Sequence, residues 1–199
     1  MKNLYLRSML AAACAVTLAA CGGSGGNLYL SGRIVDLAKD GLILLNNGES
    51  LPVPAGQSSF VFTKLLKTDE HYDISIAKQP NGAVCSITNG SGKATSYSVS
   101  TAVVSCTTNT YPLRGTITGL TAGGLRLVMG PNDTSPLAGT NSYTFEKVAD
   151  GAKYGITILK QPTGLKCRFQ GSTSADGSDT AGTMGSAATT AATLDCTPQ

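Results

Sequence analysis

Most of this 199-residue chain is one pattern written twice, and a repeat of that length sets the unit of folding before any strand or helix is assigned. Leu30-Ser31-Gly32-Arg33-Ile34 returns as Leu113-Arg114-Gly115-Thr116-Ile117. In step with these come Leu37 with Leu120, Gly41-Leu42 with Gly124-Leu125, Leu44 with Leu127, and Phe62 with Phe145. Further on, Tyr72-Asp73-Ile74-Ser75-Ile76-Ala77-Lys78-Gln79-Pro80 matches Tyr154-Gly155-Ile156-Thr157-Ile158-Leu159-Lys160-Gln161-Pro162. Gly82 then aligns with Gly164 and Cys85 with Cys167. Each copy closes on a cysteine, Cys106 or Cys196, and the second is longer only between its two cysteines, where Ser172 to Ser186 reads as a loop insertion.

Inside a copy the apolar spacing has period two, the mark of half-buried strands. Ile34, Asp36 and Ala38 oppose Arg33, Val35 and Leu37. Phe60 and Phe62 face one way, and Tyr72, Ile74 and Ile76 line a third run. Asn46-Asn47-Gly48, Pro80-Asn81-Gly82 and Asn89-Gly90-Ser91-Gly92 separate the runs, with residues suited to positive φ or preset turns. No helix cap is followed by a 3.6-residue periodicity. The 24 glycines, 8 prolines and 14% charged residues agree with short strands and turns. The expected fold is all-β: two tandem small β-sandwich domains of about seven strands each, at 28–108 and 109–199.

The first 20 residues have the layout of an export signal: Lys2 and Arg7, then the apolar, small run from Ser8 to Ala20, too short for a spanning helix. The segment ends in Leu18-Ala19-Ala20-Cys21, which resembles the lipobox of bacterial lipoproteins. That resemblance implies acylation of the Cys21 thiol and of the new amino group, with cleavage before Cys21. One acyl chain binds a membrane only marginally, whereas several hold stably. Gly22 stands where an Asp commonly signals inner-membrane retention, so the resemblance implies an outer-membrane location, on either the periplasmic or the outer face. Residues 21–27 have the Gly-rich composition of a tether.

Export also settles the redox expectation for the other four cysteines of the mature chain. The simplest pairing keeps each bridge within a copy, Cys85 with Cys106 and Cys167 with Cys196. Crossed pairings would join separate units, against the matched spacing. Closing loops of this size stabilises a small unit by about 3 to 4 kcal/mol on the chain-entropy account. Each bridge should tie the last two strands of its copy together.

At the repeated residues the chain resembles a unit seen in many proteobacterial surface and lipoprotein sequences. Its pattern is Gly-Leu-x-Leu, Phe-x-Phe, Tyr-x-Val/Ile-x-Val/Ile, Gln-Pro-x-Gly, Cys, Asn-Gly-x-Gly and a closing Cys. The first copy keeps all of it, through Cys85, Asn89-Gly90-Ser91-Gly92 and Cys106; the second has its insertion in place of the Asn-Gly-x-Gly turn. The resemblance implies an immunoglobulin-like or prealbumin-like sandwich serving as an accessory, display or adhesive module, and it carries over no catalytic residue.

Chemistry-bearing residues are sparse. His71 is the only histidine; with Asp69 or Glu70 and a distant serine it could form a hydrolytic triad, but a polar residue before a strand fits better, and Lys153 holds the matching place. One histidine and four paired cysteines supply too few ligands for a transition-metal site, so no metal and no cofactor is expected. Asp176 and Asp179 lack the dense acidic pattern of a calcium loop. Gly90-Ser91-Gly92-Lys93-Ala94 lacks the Ser or Thr that a phosphate loop needs after its Lys and reads as a hairpin turn. Tyr29, Tyr72, Tyr97, Tyr111, Tyr143 and Tyr154 could offer a contact surface, although Tyr72 and Tyr154 recur at a strand start and read as packing. A net charge of +3 with scattered Lys and Arg argues against nucleic acid.

These residues point to a non-enzymatic, lipid-anchored envelope protein. Its partners would be the membrane, through the anchor, and a protein bound by loops or sheet edges. A spacer without a ligand is the second expectation. A small hydrolase or carbohydrate-binding protein built on His71 or clustered tyrosines is a distant third.

Overall fold

The computed structural model describes residues 26–199. The expected signal segment at 1–20, the expected lipidation at Cys21 and the expected tether as far as residue 25 lie outside the described residues. Everything described is strand, turn or loop, so the fold is all-β.

The first half holds eight strands: β1 (Leu30–Val35), β2 (Leu42–Asn46), β3 (Glu49–Val53), β4 (Ser59–Val61), β5 (His71–Lys78), β6 (Ala83–Thr88), β7 (Ser91–Lys93) and β8 (Val99–Thr108). The second holds nine: β9 (Thr110–Thr118), β10 (Arg126–Met129), β11 (Asn132–Thr134), β12 (Ser142–Ala149), β13 (Lys153–Lys160), β14 (Leu165–Phe169), β15 (Asp179–Thr183), β16 (Thr189–Thr190) and β17 (Leu194–Pro198). Short strands such as β7 and β16 raise the count above the seven per copy suggested by the sequence.

The sheets of the first half run β4-β1-β8-β6 and β3-β2-β5-β7; those of the second run β12-β9-β17-β14 and β11-β10-β13-β15, with β16 also on β9. The order is the same strand for strand, β16 and β17 together taking the place of β8. In both halves the first strand pairs in parallel with the last, β1 with β8 and β9 with β16 and β17. Both parallel ladders slip by one residue near the start: Leu30↔Val99 is followed by Gly32↔Ala102, and Arg114↔Thr190 by Ile117↔Leu194.

Two separate cores lie between the sheets, one drawn from Leu28 to Cys106 and the other from Leu113 to Cys196. Phe60 and Phe62 meet edge to face in the first, and Tyr143, Phe145 and Phe169 do so in the second. The repeated glycine of Leu-x-Gly-x-Ile lies under an aromatic ring. Gly32 pairs with Phe60 and Gly115 with Tyr143. A Cβ on Gly32 would come within 2.5 Å of the Phe60 ring and of the Ala102 carbonyl oxygen, and one on Gly115 within 2.1 Å of the Tyr143 ring. The ring covers backbone that only a residue without a side chain can offer.

Three local expectations are corrected. The alternation does not run through Asp36: β1 stops at Val35 and Asp36 turns to φ 58°, so Ile34 and Leu37 both enter the core. Asn89-Gly90-Ser91-Gly92 is not a hairpin. Asn89 (φ 54°) turns the chain from β6 in one sheet to β7 in the other, a corner between sheets. The Ser172–Ser186 insertion is more than a loop, because it contains β15, which pairs with β13 as β7 pairs with β5. Asn47-Gly48 does form a tight hairpin turn, with φ 44° and 85°, between β2 and β3.

Candidate functional site

Each of the sequence-derived chemical candidates has a local structural task. His71 opens β5, exposed, opposite Lys93 of β7, and its carbonyl accepts a 2.8 Å bond from the Asn47 amide. The Glu70 carboxylate is turned back onto the Lys67 backbone N–H, and Asp69 sits in a turn at φ 63°. Asp69 and Glu70, with Gly26, Lys64, Leu65, Lys67 and Thr68, line an open hollow of about 660 Å³ that includes no residue of the insertion. In the insertion, Asp179 Oδ1 accepts from the Ser172 hydroxyl at 2.8 Å and the Ser174 N–H at 3.3 Å, and Asp176 accepts from the Ser178 N–H. Hydrogen bonding from Ser174 first and then Ser172 holds the Asp179 carboxyl below its ordinary value, and the carboxylates knit the loop together. Among the described residues no group of three His, Cys, Asp or Glu side chains could hold a metal ion, and no helix is long and apolar enough to cross a membrane.

Tyr72 and Tyr154 lie across from Gly92 and Gly182, so each covers a glycine of an edge strand. Gly182 of the insertion therefore does the work of the last glycine in Asn-Gly-x-Gly. Matching those two glycines was the one sequence signal that could have revealed β15.

The cysteines pair as Cys85–Cys106 and Cys167–Cys196, each bridge joining directly opposite residues of neighbouring antiparallel strands, β6 with β8 and β14 with β17. The bridge lies within one sheet. On the outer side of β6, the Gln79 side chain accepts from the Cys85 N–H at 2.7 Å and donates to the Cys85 carbonyl at 3.0 Å. Gln161 does the same for Cys167, at 2.8 and 3.0 Å. The Gln of Gln-Pro-x-Gly thus acts as one rung of an absent strand, satisfying backbone groups that the edge leaves free.

The junction Thr107-Thr108-Asn109-Thr110, which in the sequence is short and polar and restricts a hinge without fixing it, carries more contacts than that composition suggests. β8 passes into β9 through Asn109 alone. The Asn109 N–H donates to the Gly82 carbonyl and the Asn109 carbonyl accepts from the Asp150 N–H, both at 2.9 Å, so this residue is bonded to both sides. Beside it Lys39 Nζ donates to Asp150 Oδ1 at 2.7 Å and to the Asp150 carbonyl at 2.6 Å. The Asp150 side chain is 8% exposed and that of Lys39 22%. The Lys39 ammonium holds the Asp150 carboxyl below its ordinary value. Gly82 and Gly151 leave the room: a Cβ on Gly82 would lie 2.5 Å from the Asp150 carboxyl, and one on Gly151 2.7 Å from Lys39 Nζ.

Because β1 and β8 run in parallel towards this junction, and β9 runs away from it, the halves stack end to end. One pole, at Gly26–Tyr29, Lys64–His71 and Lys93–Ser98, is where the chain enters the fold. The opposite pole has a hollow of about 340 Å³ lined by Gly123, Gly124, Arg126, Pro136, Leu137 and Lys160. Leu137 is 75% exposed there, and Arg126 pairs with Asp133 at 3.0 Å. Among the described residues the large exposed apolar side chains are otherwise Tyr29, Val61, Val84, Tyr97 and Leu159; Val61 and Val84 stand on opposite edges of one sheet.

No family model matches this chain, and no curated protein matches it. Among solved structures, a streptococcal ancillary pilin is similar over 86% of this chain and 63% of its own, at 14% identity and a TM-score of 0.31, so this chain spans less than two thirds of that pilin. The minor pilin GBS52 of Streptococcus agalactiae is similar over 87% of this chain and 97% of its own, at 10% identity and a TM-score of 0.31. The T-13 major pilin of Streptococcus pyogenes gives 88%, 98%, 10% and 0.30. At such scores the likeness carries no functional argument.

Proposed function

We propose that this chain is a lipid-anchored, non-enzymatic envelope protein of the outer membrane, whose stacked sandwiches bind or display to a protein partner in adhesion or assembly. The observation that carries the reading is the end-to-end stack. The chain enters the fold at the first half's outer pole, and the loops around Leu137 lie at the far pole of the second half, the place best separated from an anchor at Cys21. An exposed leucine with Lys160 and Arg126 nearby offers a small apolar contact with a charged rim.

The second reading is a spacer, and a specific observation favours it. Apart from Tyr29 and Tyr97, whose segments are bonded together, the large exposed apolar side chains of the described residues are dispersed over separate strands and loops, without a large dedicated patch. Cross-linking with mass spectrometry on intact cells separates the two. A specific partner captured by wild type, lost on Leu137→Glu while the protein stays membrane-bound, supports presentation at the far pole. An empty partner list supports the spacer, and a specific partner retained by Leu137→Glu places the contact away from the far pole. Retention of Cys21→Ser in the membrane fraction overturns the anchor.

A further inference from the structure

The pole where the chain enters the fold carries a pair of exposed tyrosines. Asn27 and Leu28 both donate to the Leu66 carbonyl at 3.1 Å, and Leu66 N–H returns a bond to Leu28, so the chain is pinned to the first half from its first described residues. Residues 26 and 27, part of the expected tether, are already docked. Tyr29 follows at once and is 57% exposed; Tyr97 is 80% exposed. Their segments are stitched together, with Tyr29 N–H donating to the Ser98 hydroxyl and Val99 N–H to the Tyr29 carbonyl. These are the two strongly exposed aromatic side chains among the described residues, and they share one place.

Covalent geometry limits how far this place can stand from an anchor. Only residues 22–25 separate Cys21 from Gly26. A chain spans at most about 3.5 Å per residue, so Cys21 and Gly26 are within about 18 Å of each other. A tyrosine ring has an apolar body and a polar tip and favours the boundary between water and acyl chains.

Resting on the anchor reading above, we infer that the tether-side pole of the first half seats on the membrane surface, with the rings of Tyr29 and Tyr97 in the headgroup layer. Electrostatics do not drive the seating. Lys64 and Lys67 share the neighbouring hollow with Asp69 and Glu70, and the adjoining strands pair His71 with Lys93 and carry Asp73. The charges on this rim are mixed, so contact should depend little on salt or on anionic lipid.

The chain contains no tryptophan, so a single introduced indole is an unambiguous reporter. Protein produced from the full-length sequence in a host that processes lipoproteins, carrying Tyr97→Trp and separately Leu137→Trp, would be checked for acyl mass and mixed with vesicles of phosphatidylethanolamine and phosphatidylglycerol containing brominated phospholipid. The expected result is quenching of the indole at position 97 by about twofold or more, as for a ring at the headgroup boundary, with emission shifted to the blue. The indole at position 137 should be unquenched, and high salt should not reverse the difference. A Tyr29→Trp variant checks the same surface if the substitution at 97 perturbs the fold. Equal quenching at both poles, or none at either, in protein that floats with the vesicles overturns the seating while leaving the anchor intact. Protein that fails to float and lacks acyl mass on Cys21 overturns anchor and seating together.

Discussion

The two halves agree in strand order, in disulfide position and in the glutamine that backs each disulfide, yet they differ at the ends that meet. In the first half Lys39 stands on the β1–β2 loop; the matching residue in the second is Ala122. In the second half Asp150 precedes the left-handed Gly151; its counterpart before the left-handed Asp69 is Thr68. The ion pair can therefore form in one order only. A further copy stacked on the far pole would find Ala122 in place of a lysine. What the copies share builds a sandwich, and the positions where they differ join one sandwich to the next.

That division of labour can be broken in steps. The largest effect should come from the shared disulfides: replacing Cys85 and Cys106, or Cys167 and Cys196, by alanine should cost about 3 to 4 kcal/mol in the affected half. The sequence separations of 21 and 29 make the second loss marginally larger. Denaturant-dependent hydrogen exchange, read half by half, checks this; loss in both halves at once would mean that they unfold as one unit. Next come the glycines under rings. Gly32→Ala and Gly115→Ala should each cost about 1 to 3 kcal/mol by overpacking. In a double-mutant cycle followed by thermal unfolding, Gly115→Ala should cost less in a Tyr143→Leu background, where the ring above the new methyl is gone, than in wild type. Smaller still, Gln79→Ala and Gln161→Ala should each cost about 1 kcal/mol, since the freed backbone groups lie at an edge that water can reach in part.

The smallest change in stability belongs to the junction, where the readout is orientation. Lys39→Ala should leave each half folded and loosen their angle, seen as a broader small-angle scattering envelope, whereas Ala122→Lys should change nothing. Acid gives the same test without mutation. Because the Asp150 carboxyl is held below its ordinary value of 3.8 in the folded protein, its contribution is complete above that pH and is lost as pH falls below it. Loosening on acidification that is absent in Lys39→Ala would assign it to this pair.

The repeat, the pairing of the cysteines and the Asn47-Gly48 turn were legible because each rests on local chemistry or on spacing that the second copy duplicates. Asp36 was not, because period two predicts continuation, and only the structure shows that one left-handed residue resets the phase and sends Leu37 inward. β15 was hidden by its composition: Asp179-Thr180-Ala181-Gly182-Thr183 has no apolar alternation, as suits an edge strand whose main contact is a tyrosine over a glycine. Lys39 and Asp150 were hidden differently. Each is an ordinary charged loop residue, and a pair separated by 111 residues has no local signature. The comparison of copies did contain a hint, since both lie where an otherwise matched alignment changes chemical type.

The glutamines beside Cys85 and Cys167 bear on how such a protein behaves when many copies are crowded on one surface. An open strand edge invites a neighbour's chain to zip on, and β6 and β14 are edges of this kind. At the middle of each, a carboxamide already occupies the donor and acceptor that an incoming strand would use. A visiting strand must evict that side chain first, so these margins are guarded against self-assembly into extended sheets, and a partner that binds by adding a strand is steered to the other edges.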